Sequence, residues 1–180
     1  MFMKIANDSL SQKFWAGNQI AYMLGKQAAA SPEISYALAG RLYAAKSGWL
    51  LLSVPNAMVH GIFDALQETG LELPPGPDGK LNAHISVMNA GEVDSIGGAS
   101  VISERGHLFH YNLGPLRSVV PETWDGVGKV WLVEVRSPEL EKLRKSYGLT
   151  ALPNNNRFKF HITVAIRRKG VLQENDVTKA

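Results

Sequence analysis

Two tetrads in this sequence hold the residue types that move protons at a phosphate. His84-Ile85-Ser86-Val87 and His161-Ile162-Thr163-Val164 share the order histidine, apolar, hydroxyl, apolar. In an extended strand alternate side chains share a face, so His84 projects with Ser86 and His161 with Thr163. Around the second tetrad, Phe158, Phe160, Ile162, Val164 and Ile166 form an apolar face. Arg157, Lys159, His161, Thr163 and Arg167 form the opposite one, interrupted by Ala165. Around the first, Asn82, His84 and Ser86 oppose Ala83, Ile85 and Val87. An imidazole titrates near pH 6.5, so one neutral histidine can take a proton from a nucleophile while a protonated one gives a proton to a leaving oxygen. The two hydroxyls can donate to non-bridging phosphate oxygens, and Lys159 adds a cation on the same face. This is a set for phosphodiester cleavage without a metal. One His-x-Ser/Thr on a strand is commonplace, and a polar strand face is often only solvated. What distinguishes these two is that they fall at corresponding points of an internal repeat.

That repeat supplies the elements. Trp49-Leu50-Leu51-Leu52-Ser53-Val54 reads as a strand, leading through Pro55-Asn56 into a helix near 56–68, then Gly70-Leu71, Leu73-Pro74, a Gly/Pro-rich turn and a strand from Leu81 to Met88. Trp131-Leu132-Val133-Glu134-Val135 begins the same order again. A helix near 138–147 follows Ser137-Pro138, then Gly148-Leu149, Leu152-Pro153, an Asn-rich turn and a strand from Arg157 to Arg167. A period of about 80 residues predicts two fused lobes, not a solenoid. The expected fold is α+β: two pseudo-symmetric lobes with antiparallel sheets forming a central cleft, after a helical N-terminal segment.

Residues 1–180 are expected to form one domain. It divides into a helical lead over 1–48, lobe one over 49–90, an inter-lobe strand and lid loop over 91–128, lobe two over 129–170 and a polar tail over 171–180. In the lead, 9–47 reads as mostly helical. Ile34, Leu38, Leu42 and Ala45 fall at helical spacing after Ser31-Pro32-Glu33, an N-cap with proline at the first helical position. His107 to Tyr111 reads as a strand, and 112–128, with two prolines and Trp124, as a long loop.

Composition narrows the partners. Of 180 residues 45% are hydrophobic and 19% charged, a globular balance. Nineteen Lys and Arg against sixteen Asp and Glu leave a formal charge of +3, too little for the dense basic face of a duplex-DNA binder. The absence of cysteine excludes disulfides, thiolate metal sites and cysteine nucleophiles. No apolar core with a cleavage site opens the chain, and apolar runs such as Trp49 to Leu52 are far too short to span a bilayer. A cytoplasmic protein with no membrane partner is expected. His107 and His110 point to opposite faces of a strand, and Gly126-x-Gly128-Lys129 precedes a strand instead of a helix. Neither forms a metal or nucleotide-loop motif, so no metal and no cofactor is expected. Trp124 in the lid is a candidate for stacking on a base, with Tyr43 and Tyr111 in the same role. Trp49 and Trp131, at equivalent strand positions, read as core.

The paired H-x-[S/T]-apolar tetrads, one per half of a duplicated α+β domain, resemble the 2H phosphoesterase superfamily over about residues 49–168. The resemblance implies a metal-independent enzyme in which His84 and His161 are general acid and base and Ser86 and Thr163 bind the phosphate. Ser86 replaces the more usual threonine but keeps the donor. Substrates in the superfamily include RNA ends, 2′,3′-cyclic phosphates and other nucleotide phosphodiesters. Within it, the layout resembles phage anti-CBASS nucleases, which cleave the cyclic di- and trinucleotide signals of bacterial immunity. The cues are Gly48-Trp49-Leu50 and the ending Phe160-His161-Ile162-Thr163-Val164-Ala165-Ile166-Arg167-Arg168-Lys169-Gly170. The expected partner is therefore a cyclic oligonucleotide or short RNA, met in the cytoplasm of the host bacterium. An RNA-end phosphodiesterase and a non-catalytic protein that sequesters a nucleotide are the competing readings.

Overall fold

The computed structural model describes residues 37–76 and 80–170. Among the described residues the six strands are β1 (Leu38–Ala44), β2 (Leu50–Ser53), β3 (His84–Met88), β4 (Leu108–Val119), β5 (Val127–Arg136) and β6 (His161–Arg168). The helices described are α1 (Asn56–Leu66), α2 (Ala90–Ser95) and α3 (Pro138–Ser146), with a 3-10 turn at Ala99–Val101. A helical turn at Pro153–Asn156 carries three consecutive asparagines with φ of 50°, 54° and 64°. Asparagine tolerates this left-handed region better than other side chains bearing a Cβ. All strand pairs are antiparallel, in the order β1-β2-β3-β6-β5-β4, and β1 pairs with β4 to close the sheet into a barrel.

The duplication is visible in the register. Leu51, Leu52 and Ser53 of β2 pair with Ser86, Ile85 and His84 of β3. Leu132, Val133 and Glu134 of β5 pair with Thr163, Ile162 and His161 of β6. A register shift follows at the same place in each unit, between Leu50 and Leu51 and between Trp131 and Leu132. The units do not face each other as two sheets, as the repeat predicted. They share one sheet, in which β3 and β6 are neighbours through the pair Ile85–Ile162. Leu50, Leu52, Ile85, Val133, Ile162 and Val164 are fully buried behind this sheet in one core, with Val59 and Ile62 of α1 and Leu140 and Leu143 of α3.

Three sequence expectations are corrected. The helical reading of 9–47 fails at its C-terminal end, where 38–44 is strand β1; its remainder through residue 36 lies outside the described residues, as does the tail 171–180. Leu38 and Leu42 are four apart, a spacing that suits one helix face and equally one strand face. Cross-strand partners decide between them: Leu42 pairs with Leu52, and Leu38 with Tyr111. Gly40 lets β1 lie against the Ser53 carbonyl, where a Cβ would collide with that oxygen and with Leu52. Next, 112–119 is not loop but the second half of β4. Gly114 and Pro115 fall within the register shift between Leu113 and Leu116, and a bulge is where a strand accepts proline. The β4–β5 connection is thus only 120–126. Finally, Trp131 is core at 3% exposure but Trp49 is 38% exposed. The register makes Leu50, not Trp49, the counterpart of Trp131, and a one-residue offset reverses a strand side chain's face.

A buried ion pair fastens the end of β3. Arg144 of α3, fully buried, donates from Nη2 to Glu92 Oε1 (2.7 Å) and from Nη1 to Glu92 Oε2 (3.0 Å). It also donates to the carbonyls of Val87 (2.6 Å), Thr150 (2.9 Å) and Leu152 (3.1 Å). Glu92 closes a capping box with Asn89 at the start of α2. Burial alone raises the Glu92 carboxyl, but Arg144 and the Asn89 and Asn154 amides hold it below the usual carboxylate range. Among the described residues no helix is long and apolar enough to cross a membrane.

Candidate active site

His84 and Ser86 on β3, and His161 and Thr163 on β6, line one pocket with Pro74, Pro75, Leu81, Asn82 and Ala83. Ile85 and Ile162 pair directly, so the polar residues that alternate with them, His84 and Ser86 on one strand and His161 and Thr163 on the other, share one face of the sheet. Both imidazoles and both hydroxyls therefore line the same pocket. The β3–β6 ladder does not extend beyond the one pair, and further along β6 its edge is taken over by Glu72. Glu72 N–H donates to Ile166 O, and Ile166 N–H donates to Glu72 O, both at 2.9 Å. This anchor carries the chain into Pro74 and Pro75, which wall the pocket.

Both histidines are held alike. Nδ1 of His84 lies 2.7 Å from the carbonyl of Asn82, and Nδ1 of His161 lies 2.8 Å from the carbonyl of Lys159, in each case two residues back. A carbonyl only accepts, so Nδ1 carries the hydrogen in both rings. Nε2 is then the site that takes or gives a proton, as base in a neutral ring and as acid in an imidazolium. The backbone before His84 is itself clamped from α1. Asn56 Oδ1 accepts from Ala83 N–H and Asn56 Nδ2 donates to Leu81 O, both at 2.9 Å. Neither Ser86 nor Thr163 spends its hydroxyl on a protein partner among the described residues.

The other sequence candidates separate. Tyr43 does not line the pocket, but its hydroxyl accepts from Nδ2 of the lining residue Asn82 (3.1 Å). Lys159 does not line the pocket; its Nζ donates to Glu134 Oε2 (2.9 Å). Trp124 is 42% exposed in the β4–β5 connection and also stands outside the lining. Tyr111 is corrected: it is core, 1% exposed, so no ring face is offered to a base. Burial pushes its hydroxyl up to about 12.

Sequence reasoning passed over several residues. Glu134 faces His161 across the β5–β6 ladder and also accepts from Arg117 Nε of β4 (3.0 Å). The Lys159 contact, joined by Arg117, holds the Glu134 carboxyl below the usual carboxylate range against the opposing push of burial. In the sequence Pro74 stands out only through the repeated Leu-Pro pair, Pro75 only through the Gly/Pro-rich turn that follows it, and Asn56 only as a helix start. No short-range pattern marks Glu134 or the prolines, because each reaches the site through strand pairing. Asn56 follows Pro55 at a helix start, a position where a polar side chain often binds nearby backbone. His110 is spent on Glu139, with its backbone N–H donating to Oε2 (2.7 Å) and its ring at 3.1 Å from Oε1. Among the described residues no group of three or more metal-binding side chains assembles.

Compared with known proteins, the sequence matches a family model described as Swiss Army Knife, 2H phosphoesterase domain, over residues 48–172. No curated protein matches the chain, and no solved structure does. The match spans well over half of the 180 residues and contains both tetrads. The chain therefore belongs to the Swiss Army Knife group of 2H phosphoesterase domains, a family of phosphodiesterase-type hydrolases.

Proposed function

We propose that this protein is a metal-independent phosphodiesterase whose substrate is a cyclic di- or trinucleotide signal, and that it serves a phage in disarming CBASS immunity. One observation carries the catalytic part. Two imidazoles are locked through Nδ1 in the same tautomer, with both hydroxyls, in one pocket. In this reading one Nε2 takes the proton of the attacking hydroxyl, from water or a ribose 2′-OH. The new P–O bond forms as the bond to the leaving oxygen breaks, and the other ring, as imidazolium, protonates that oxygen. Ser86 and Thr163 donate to the non-bridging oxygens as negative charge builds on them. Proton donor and acceptor are both supplied by side chains, so the reaction needs no metal. Such a role belongs in the cytoplasm of an infected bacterium, where these signals are made.

The test is product analysis by chromatography and mass spectrometry over a panel of cyclic di- and trinucleotides with EDTA present. His84→Ala and His161→Ala should each lower turnover by about 10²–10⁴-fold, and the bell-shaped pH profile should lose one limb in each. Full turnover by the double histidine variant refutes the mechanism, and abolition by EDTA refutes metal independence. Competition by 2′,3′-cyclic mononucleotides or short RNA, stronger than by cyclic dinucleotides, would favour an RNA-end phosphodiesterase. Recovery of every ligand chemically intact would favour sequestration.

A further inference from the structure

The two halves of the site differ at one pair of register-equivalent positions. Opposite His84 stands Ser53, whose Oγ accepts from the backbone N–H of Arg41 (2.9 Å). Opposite His161 stands Glu134, and it gathers two cations. Its Oε1 accepts from Arg117 Nε at 3.0 Å and its Oε2 from Lys159 Nζ at 2.9 Å. The carboxylate is 17% exposed, whereas Arg117 is 59% and Lys159 63% exposed. Two positive charges therefore meet one negative charge on the face that carries His161. Each cation also keeps donors in hand. Arg117 uses only Nε, so among the described residues its two terminal amino groups have no protein partner, and those groups form a fork that suits phosphate. The ammonium of Lys159 has two N–H bonds left.

Position gives the face a meaning. Arg117 pairs with Leu132, and Leu132 pairs with Thr163, so Arg117 lies two strands from the hydroxyl that would touch the reacting phosphate. Two strand spacings are about 10 Å, and the arginine side chain covers part of that distance. An anion held there would sit beside the first one on the same face of the sheet.

We propose that Arg117 and Lys159, oriented by Glu134, form a second phosphate-binding subsite beside His161, so that the substrate carries another phosphate on the β4–β5 side of the scissile one. The inference rests on the phosphodiester reading of the cleft, and it deepens that reading. A substrate with a single phosphate leaves the subsite empty, whereas an oligonucleotide occupies both. Glu134 is a positioning residue here, and the two cations touch substrate.

The experiment is calorimetric titration of the full chain with adenosine 3′,5′-bisphosphate and, separately, adenosine 5′- and 3′-monophosphate. The bisphosphate should bind at least about tenfold tighter than either monophosphate. The preference should shrink to within about twofold in Arg117→Gln and in Lys159→Gln. Both side chains are exposed, and glutamine keeps part of their aliphatic stem. Arg157→Gln, which removes an exposed cation paired with Glu122, should keep the preference. Equal affinity of the wild-type chain for all three ligands overturns the second subsite while leaving the histidine cleft standing. So does a preference that survives the double Arg117→Gln/Lys159→Gln change. Binding of none of the three overturns the subsite and the phosphate reading of the cleft together.

Discussion

Replacing Arg144 with leucine should cost about 4 kcal/mol of folding stability, a large share of what a domain of this size possesses. The structure sets the scale. Arg144 is fully buried and makes five hydrogen bonds, two to Glu92 and three to the carbonyls of Val87, Thr150 and Leu152. Leucine keeps the helix propensity of α3 and fills much of the volume, but it leaves Glu92 as an unpaired, largely buried carboxylate and three carbonyls without their donor. Breaking a buried pair from one side costs roughly 3–5 kcal/mol, more than the pair itself contributes, because the abandoned charge remains. Urea unfolding of wild type and variant measures the difference, with an unchanged m-value showing that both unfold as the same unit. The double change Glu92→Leu/Arg144→Leu should cost at least about 1 kcal/mol less than the two single changes added together. It will not restore full stability, because Glu92 also accepts from the Asn89 amide. The pH dependence has a fixed sign. The folded-state carboxyl of Glu92 lies below its ordinary value, so its contribution is complete above the unfolded pKa and is lost as pH falls through the folded one. Wild type and Glu92→Gln should therefore converge in stability on acidification below about pH 4. A cost under about 1 kcal/mol for Arg144→Leu, or a coupling near zero, refutes the reasoning.

Three further outcomes follow from the site and its supports. Ser86→Ala and Thr163→Ala should each lower kcat by on the order of 10²-fold with little change in stability, since each removes one donor to developing charge; steady-state kinetics beside thermal melts check this. Asn56→Ala removes two 2.9 Å bonds to the backbone before His84. It should cost about 1–2 kcal/mol and lower kcat more than it changes KM, and a variant with wild-type melting and kcat would show that the clamp is idle. Gly40→Ala should destabilise by about 1–3 kcal/mol, read from urea melts, because the new methyl meets the Ser53 carbonyl and Leu52 across the β1–β2 ladder.

Much of this molecule was legible before its structure. The tetrads marked the strands that became β3 and β6, and the repeat order located β2, α1, β5 and α3 to within a few residues. Ser137-Pro138 announced α3, and Ser137 Oγ indeed accepts from Leu140 N–H at 3.2 Å. The failures have physical causes. Leu38 and Leu42 satisfy two periodicities at once, and only pairing with β2 and β4 selects the strand. Gly114 and Pro115 resemble loop chemistry, yet a bulge absorbs them inside β4. The six-residue helix α2 left a readable trace, the capping box Asn89-x-x-Glu92, but it is too short to show an apolar period.

The site divides along the same line. Alternation within a strand is a property of the local backbone, so His84 with Ser86, and His161 with Thr163, could be assigned to shared faces from composition and order alone. Which residues face each other across strands depends on register and closure, and these are set by contacts between segments far apart in the chain. Folding decided that the two units share one sheet, that both tetrads line one pocket, and that Tyr111 points into the core. It also decided that Glu134, 27 residues before His161, faces it and holds Arg117 and Lys159 beside it. Which side chains share a strand face is local information. Their mutual geometry, and the asymmetry between the two halves, belongs to the tertiary fold.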